Sequence, residues 1–379
     1  MIPLIFSERH IKFATSFSIS QNSDLEKLTT IVNLSLGVTS VFLYCGLNME
    51  KTKIYHVCLS SHEEVMFRSA ADLNMGFNCL AAAVISTDSR LFAEGFLTTH
   101  YHYLVQTSSL KELMYRCRYA YTRYFNNKYF RRGRLGEHNY FKLEVEGTYH
   151  IQAALNYVLR QGLHHGLAAS PFGFEHCSAN SFFCKDLGKT LTPPLLRDEF
   201  RRRYLPSNIK IPSQYRMSAE GLLLRKDVLD VAWVEQNYIT VKNFLFQMNR
   251  LPDERDLQAQ KEENGRPPIT MEAIEAGVPD FVAKEARNFE YGKVNRSKMT
   301  DLELCSIIDN NIVPILSKGK EQSSIYLLPE PSKIELFESL WKECRQARWH
   351  NHANGPFANK YITESQLRRC LCLPPVSAV

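Results

Sequence analysis

Apolar and polar positions alternate in several short segments of the chain, and stretches with helical spacing separate these segments. Strands are predicted where apolar side chains recur at every second position, in residues 53–59, 91–97, 101–105 and 138–146. Helices are predicted where apolar residues recur every three or four positions, in residues 70–87, 110–125 and 148–161. The order β-α-β-β-α-β-α favours an α+β fold in which helices pack on one face of an antiparallel sheet.

The pattern changes on both sides of this central domain, which is predicted to span 51–190. Residues 1–50 are interpreted as its N-terminal elaboration, with strands in the apolar, β-branched stretch 31–44. A connector with helices is predicted for 191–298. Within it, residues 253–268 are charged and nearly free of large apolar side chains, which predicts a mobile loop or linker.

A mainly helical domain is predicted for residues 299–379. Two of its helix starts are marked by Thr300 and Thr363, each followed three residues later by Glu or Gln, the pattern of a capping box. Two interpretations of this domain stay open. It can be a helix-turn-helix that reads DNA, or a helical support domain.

Composition narrows the class of protein. The 379 residues are 44% hydrophobic and 23% charged, which is typical of a globular protein with a real core. No stretch approaches the roughly 18 consecutive apolar residues of a membrane span, and the first ten residues lack the order of a secretory signal. A cytoplasmic protein without membrane contact is therefore expected. The 10 cysteines lack paired Cys-x-x-Cys spacing, so buried reduced thiols are expected rather than a zinc site.

The first candidate site residues are His100 and His102, which flank Tyr101. Alternate residues of a strand share a face, so both imidazoles are expected on the same side of the sheet. Two imidazoles on one side form half of a divalent-metal site. Two histidines without a metal role are the competing interpretation, and this motif alone favours it.

A second pair, Tyr157 and Gln161, lies four residues apart on a predicted helix and therefore shares a helix face. A tyrosine can act as a covalent nucleophile, and a glutamine carbonyl oxygen can complete the shell of a hard metal ion. Taken alone, this pair is better explained by a core tyrosine and a solvated glutamine.

Together, the two pairs resemble the HUH single-strand nucleases with one catalytic tyrosine, which include insertion-sequence transposases and REP-associated tyrosine transposases. The resemblance rests on the two histidines of Phe96–Val105, on the basic helix that follows, and on the tyrosine and glutamine of Leu155–Leu163. It covers about residues 50–180. Thr99 stands where this family commonly has Asn, and Gly162 stands where it often has Pro. Tyr101 is also bulkier than the usual Val or Leu. These departures indicate a divergent branch.

The resemblance implies a ferredoxin-like nuclease fold and a role for each group. His100, His102 and Gln161 would bind Mg²⁺ or Mn²⁺, and Tyr157 would form a 5′-phosphotyrosine intermediate. The implied activity is that of a transposase: an endonuclease and strand transferase acting in DNA transposition and recombination. The implied partners are single-stranded or hairpin DNA and a second copy of the chain. The active site of this homodimer would form in cis or in trans, and the protein would join the nucleoid when bound to DNA.

A basic stretch adds support for a DNA partner, which the net charge of +6 favours only weakly. Between residues 111 and 134, basic residues outnumber the single acid Glu112, and aromatic residues are interleaved with them. Basic side chains follow phosphates, and aromatic faces stack on unpaired bases. The candidate DNA-binding residues are Lys111, Arg116, Arg118, Arg123, Lys128, Arg131, Arg132 and Arg134. A solvated helix face with its aromatic residues in the core is the competing interpretation.

Two alternatives to a nuclease remain. One is a domesticated relative that binds DNA hairpins with little turnover, although all four catalytic groups are retained. The other is a helical DNA-binding regulator whose histidine pair arose by accident, which leaves Tyr157 and Gln161 unexplained.

Overall fold

The computed structural model describes residues 32–36, 39–43, 52–205, 210–290, 298–317, 323–349, 357 and 360–374. They fall into two units, Met1–Lys51 and Thr52–Val379. In the first unit, strands β1 (Val32–Leu36) and β2 (Thr39–Leu43) pair antiparallel, which confirms the strands predicted within 31–44. The rest of the predicted N-terminal elaboration lies outside the described residues. The predicted boundaries near residues 190 and 298 fall inside the second unit and stay predictions.

A four-stranded antiparallel sheet is the centre of the second unit. Its strands are β3 (Lys53–Ser60), β4 (Arg90–Phe96), β5 (His100–Thr107) and β6 (Phe141–Val145), in the spatial order β4-β5-β3-β6. Helix α1 (Ala70–Ser86) connects β3 to β4, and α2 (Leu110–Tyr129) connects β5 to β6. This is the split β-α-β arrangement, and it confirms the predicted α+β class and antiparallel sheet.

Helices cover both faces of the sheet, whereas one covered face was predicted. The α2 residue Met114 contacts Tyr103 on one face, and α3 (Thr148–Leu159) packs on β4, β5 and β6 from the other. The reason lies in β5, because the side chains on both faces of this strand are buried. Tyr103 is 0% exposed on the first face, and His102 is 0% exposed on the second. A strand buried on both sides needs a layer against each.

The predicted helix 148–161 is divided at Arg160. Helix α3 ends at Leu159, and a short helix, α4, spans Gln161–His164. The start of α3 follows Gly147, whose φ of 95° suits a residue without a side chain. The Glu263 carboxylate accepts hydrogen bonds from the backbone N–H groups of Thr148 and Tyr149, at 2.6 and 2.9 Å, and so caps α3.

Glu263 belongs to a helix, so the mobile loop predicted for 253–268 is wrong in its larger part. The residues Glu254–Asn264 form a helix with a capping box between Asp253 and Asp256, and Gly265 ends it in a left-handed conformation. Its few apolar side chains are enough because it packs on α3 and also caps it. Composition indicated a linker, but the capping residues at both ends fitted a helix.

Further helices follow α4 along the described parts of the chain. They are α5 (Arg225–Val228), α6 (Val231–Tyr238), α7 (Val241–Met248), α8 (Glu254–Asn264), α9 (Met271–Ile274), α10 (Asp280–Glu290), α11 (Asp301–Ser306), α12 (Val313–Leu316), α13 (Glu330–Trp349) and α14 (Glu364–Cys370). Short 3₁₀ turns span Pro171–Gly173, Ser178–Ser181, Asp198–Tyr204 and Ile325–Leu327, and a π-helical stretch spans Ile307–Ile312.

The C-terminal helices have their own apolar core and dock on the sheet domain through Arg68. This buried side chain donates two 2.8 Å hydrogen bonds to Asp309 and one of 2.9 Å to the carbonyl oxygen of Cys370. Both capping boxes predicted for this region place their threonine at the N-cap of a helix, α11 and α14. A DNA-reading role for these helices stays a prediction.

Two further expectations concern cysteines and membranes. The cysteines within the described ranges are free thiols, and most are buried, which confirms the expected burial for these residues. Within the same ranges, no helix is both long and apolar enough to cross a bilayer.

Candidate active site

The predicted histidine pair lies on the sheet face that α3 covers. His100 pairs with Ser60 and His102 with Cys58 of the neighbouring strand, so both imidazoles point to this face. Their ring centroids are 5.0 Å apart. A third histidine, His56, joins them from β3, with its ring stacked 5.2 Å from that of His102.

Hydrogen bonds orient these imidazoles. His102 Nδ1 lies 3.1 Å from His56 Nε2, and His100 Nδ1 lies 2.9 Å from the Thr99 hydroxyl. If both Nδ1 atoms donate in these bonds, each Nε2 keeps the lone pair that a metal ion requires. His100 Nε2 contacts His165 Nε2 at 3.2 Å. His102 Nε2 is buried and has no hydrogen-bond partner within the described ranges.

Burial keeps the cluster neutral. Desolvation lowers the pKa of His56 to about 3. Desolvation, followed by the neighbouring His164, lowers the pKa of His100 to about 3. The pKa values of His102 and His165 are also held well below the usual range, first by burial and then by neighbouring histidines. Neutral imidazoles are the form that binds a metal ion.

Tyr157 and Gln161 approach the same face of the sheet from the helices that cover it. The Tyr157 ring lies edge-on to His102, with centroids 5.1 Å apart, and 5.8 Å from the ring of His56. Gln161 packs on Gly95, the residue of β4 that pairs with His102. Its amide nitrogen donates to the carbonyl oxygen of Tyr157 at 3.1 Å. Its Oε1 atom is buried, with no hydrogen-bond partner among the residues that the structure describes. The four predicted residues are thus brought together.

The sequence interpretation did not assign His56 and His165 to this cluster. His56 lies two residues before Cys58 on β3, and the alternation of a strand puts both on one face. That strand was predicted, but its pairing with β5 was not. No sequence pattern therefore indicated the contact between His56 and His102. Because His165 follows the predicted helix 148–161 closely, the sequence favours a solvated or phosphate-contacting side chain there. It is instead buried, because the chain turns back after α4 and sets it against His100.

The donor set suits a divalent ion only in part. Among the described residues, no group of three or more His, Cys, Asp or Glu side chains is arranged to hold a metal ion. The predicted set contains two histidines, and its third member is a glutamine. Two of its atoms, His102 Nε2 and Gln161 Oε1, are buried and have no hydrogen-bond partner in the described part of the chain, and such atoms favour a ligand. The third, His100 Nε2, would have to give up its contact with His165.

The segment from α9 to α10 closes this face of the sheet. Gly277 lies so close to β6 that a side chain there would meet Phe141, at 2.4 Å from its Cβ. Glu275 brings a buried carboxylate to 2.8 Å from His164 Nε2 and forms an ion pair with Arg287. His100, His102 and Gln161 are consequently 0% exposed. Tyr157 is 7% exposed and borders a cavity of about 480 Å³.

The predicted DNA-binding residues divide into two groups. Lys128 donates to the buried carboxylate of Asp72, Arg131 pairs with Glu64, and Arg118 donates to backbone carbonyls of Glu137 and His138. These three therefore stabilise the fold. Arg116 pairs with Glu112, one turn away on α2, and Arg134 contacts His138. Lys111, Arg123 and Arg132 are exposed.

Two tyrosines stand beside the exposed basic residues of α2. Tyr115 and Tyr119 are 62% and 54% exposed, and their rings stack with centroids 5.8 Å apart. Tyr124 and Tyr129 turn inward instead and donate to Asp72. The outer side of α2 thus combines exposed aromatic faces with exposed cations, on the opposite side of the sheet from the histidines.

Comparisons with known proteins give one structural likeness. No family model and no curated protein sequence matches the chain. A solved structure of a REP-associated tyrosine transposase bound to a REP hairpin aligns with 37% of this chain and 82% of its own, at 11% identity and a TM-score of 0.31. A TM-score of this size supports no conclusion about fold or function.

Proposed function

We propose that this chain is a transposase-type nuclease and strand transferase of single-stranded DNA, with Tyr157 as nucleophile. The observation that carries this proposal is the convergence of Tyr157 on His102, where two buried atoms, His102 Nε2 and Gln161 Oε1, have no partner within the described ranges. Such atoms normally cost stability unless a ligand satisfies them. A hydroxyl nucleophile beside such a site is suited to phosphodiester chemistry.

His100, His102 and Gln161 would hold a Mg²⁺ or Mn²⁺ ion. When bound, this ion would neutralise charge on the phosphate and stabilise the leaving oxygen. His56 and Thr99 would fix the two imidazole rings as partners of their Nδ1 atoms. Gln161 donates its amide nitrogen to the carbonyl oxygen of Tyr157, so its side-chain oxygen is the atom left for the ion.

Tyr157 would attack the phosphorus atom through its phenolic oxygen. The new bond joins Tyr157 to the 5′ phosphate, the bond from phosphorus to the 3′ oxygen breaks, and the proton lost by the phenol balances the one gained by the 3′ hydroxyl. A free phenol has a pKa near 10, so orientation beside the site must provide much of the rate. Since the covalent link keeps the bond energy, another 3′ hydroxyl can reverse the step and join a different strand.

A second candidate is a hairpin-DNA-binding relative with little turnover. It is favoured by the contact of His100 Nε2 with His165 and by the full burial of the metal-ligand candidates beneath α9 and α10. Catalysis requires that a phosphate reach these groups, whereas DNA binding on the outer side of α2 does not. Both candidates share a DNA partner, and they differ in whether a covalent product forms. The homodimer that the resemblance implies remains a prediction.

The deciding experiment incubates the full chain with a library of labelled single-stranded DNA hairpins and Mn²⁺, followed by a denaturing gel. A nuclease gives a covalent protein–DNA band that needs Mn²⁺ and is absent in Tyr157→Phe. The matched control is Tyr101→Phe, which loses the same hydroxyl from a tyrosine on the opposite face of the sheet, and which must keep the band. DNA binding without a band in the wild type would establish the binding-only relative.

A further inference from the structure

The cavity beside Tyr157 has a second wall that the sheet domain does not provide. One wall is α3, which contributes Gln152, Ala153 and Tyr157. The opposite wall comes from residues 247–287, the region between α7 and α10. With a volume of about 480 Å³, the cavity lies within the roughly 300–1,000 Å³ of ligand pockets. Tyr149 also lines it and is 47% exposed, so the cavity opens to solvent on that side.

The lining combines three kinds of side chain that suit a nucleotide. Apolar groups such as Leu257 and Ile269 can contact the face of a base. The Gln152 amide can donate to or accept from a base edge, and it is partly exposed. The charged members of the lining are Arg160, Arg250, Arg287, Asp256 and Glu272. Arg250 pairs with Asp256, and Arg287 pairs with Glu275 and lies 3.7 Å from Glu272, so the cavity offers both donors and acceptors to a nucleotide.

We propose that this cavity binds one unpaired nucleotide of the substrate strand, the one that adjoins the phosphate attacked by Tyr157. The position of this nucleotide rests on the proposed function, because it is defined by the attack of Tyr157. The occupant would lie directly beside the nucleophile, since Tyr157 belongs both to the cavity lining and to the histidine cluster. Residues 247–287 would then help to select the strand, because they form the wall against which one unstacked base is held.

The test uses the full chain in EDTA, so that no strand is cut, and a set of DNA hairpins with single-stranded flanks. Each hairpin carries the fluorescent base 2-aminopurine at a different flank position. One position is expected to change its fluorescence on binding, because its base leaves the DNA stack. In Mn²⁺, the same position should adjoin the phosphate found in the covalent band.

Two variants alter the cavity, one in its volume and one in its charge. Ala153→Trp fills it with an indole and should weaken hairpin binding about 5- to 150-fold, the range that stacking of one base contributes, and should abolish the fluorescence change. Ala153→Ser leaves the space open and should behave as the wild type. Gln152→Glu changes only charge and should weaken binding about fivefold. Gln258→Glu makes the same change on the exposed side of α8 and should not.

The outcomes separate this proposal from the proposed catalysis. If a covalent band forms, and both Ala153→Trp and Gln152→Glu bind and respond as the wild type does, the cavity proposal is overturned and the catalysis stands. An equal response at every flank position also overturns it, since the bases would then be stacking on an open surface. If no band forms but one position responds and the variants abolish that response, the catalysis fails and the cavity remains a nucleotide site.

Discussion

Gln161 packs directly over Gly95, the residue that pairs with His102 across the sheet. A methyl group at residue 95 would lie 3.2 Å from Gln161 Cγ and 3.2 Å from the carbonyl oxygen of Val158. A side chain at residue 95 would therefore require α3 to move away from β4 by a few tenths of an ångström. This contact sets the Gln161 side chain against the residue that pairs with His102, although no sequence motif connects residues 95 and 161.

The first prediction concerns this contact. Gly95→Ala should displace Gln161 and destabilise the chain by about 1–3 kcal/mol, the usual cost of overpacking, measured by urea unfolding. The covalent band should weaken in parallel. Adding Gln161→Ala to Gly95→Ala should recover part of the stability without recovering the band, because space returns but the ligand oxygen does not. Additive effects of the two changes on stability would contradict the contact.

Metal binding gives a second prediction. Calorimetric titration with Mn²⁺ should show one site in the wild type, and His102→Ala or Gln161→Ala should weaken it by at least about 10- to 100-fold, a loss that even outer partners of a metal site cause. His56→Leu removes the partner of His102 Nδ1 and should produce a smaller loss. EDTA should abolish the covalent band, and added Mn²⁺ should restore it. Equal affinity in the wild type and His102→Ala would exclude this site.

The pH dependence of stability follows from the buried histidines. The folded-state pKa values of His56 and His100 are about 3, below the ordinary value of 6.5. Between these values the unfolded chain binds more protons, so stability should fall as the pH drops below about 6.5. Each such histidine contributes about 1.4 kcal/mol per pH unit well inside that window. Urea unfolding of the metal-free protein at pH 7.5, 6.5 and 5.5 measures this slope, and His56→Leu should make it shallower. An unchanged slope would mean that folding does not shift the pKa of His56.

The buried ion pair of Glu94 and Arg225 predicts a large effect on stability. Glu94 is 0% exposed and accepts a 2.5 Å hydrogen bond from Arg225, which offsets in part the rise in its pKa caused by burial. Arg225→Met should cost about 3–5 kcal/mol, because a buried charge loses its partner. The double variant Glu94→Gln with Arg225→Met should regain much of this loss in urea unfolding. If the single and double variants were equally unstable, packing rather than charge would explain the effect.

Measurements of DNA binding should distinguish the exposed basic residues from those that stabilise the fold. Arg123→Ala should weaken hairpin binding uniformly across sequences and reduce the salt slope by about 1, because it removes an exposed cation. Tyr115→Ala should weaken binding about 5- to 150-fold if a base stacks there. Lys128→Ala, which breaks a contact to buried Asp72, should instead lower the melting temperature. Normal binding by both Arg123→Ala and Tyr115→Ala would place the DNA on another surface.

The sequence alone predicted the elements and the chemistry-bearing residues. Alternation placed His100 and His102 on one face, because this periodicity is a property of the local backbone. Four-residue spacing grouped Tyr157 with Gln161, although α3 ends between them. The α+β class followed from the order of elements. Local patterns also identified the capped helix starts at Thr300 and Thr363, since a capping box needs only four consecutive residues.

The tertiary structure determined which distant residues contact one another. The pairing of β3 with β5 brought His56 to His102, and the turn after α4 brought His165 to His100. No sequence pattern indicated the second layer on the histidine face, and the helix over 254–264 has capping residues but too few apolar positions to be predicted. Each depends on a contact between segments far apart in the chain, such as the capping of α3 by Glu263. Periodicity describes neighbours along the backbone, whereas burial and contact depend on how distant segments pack.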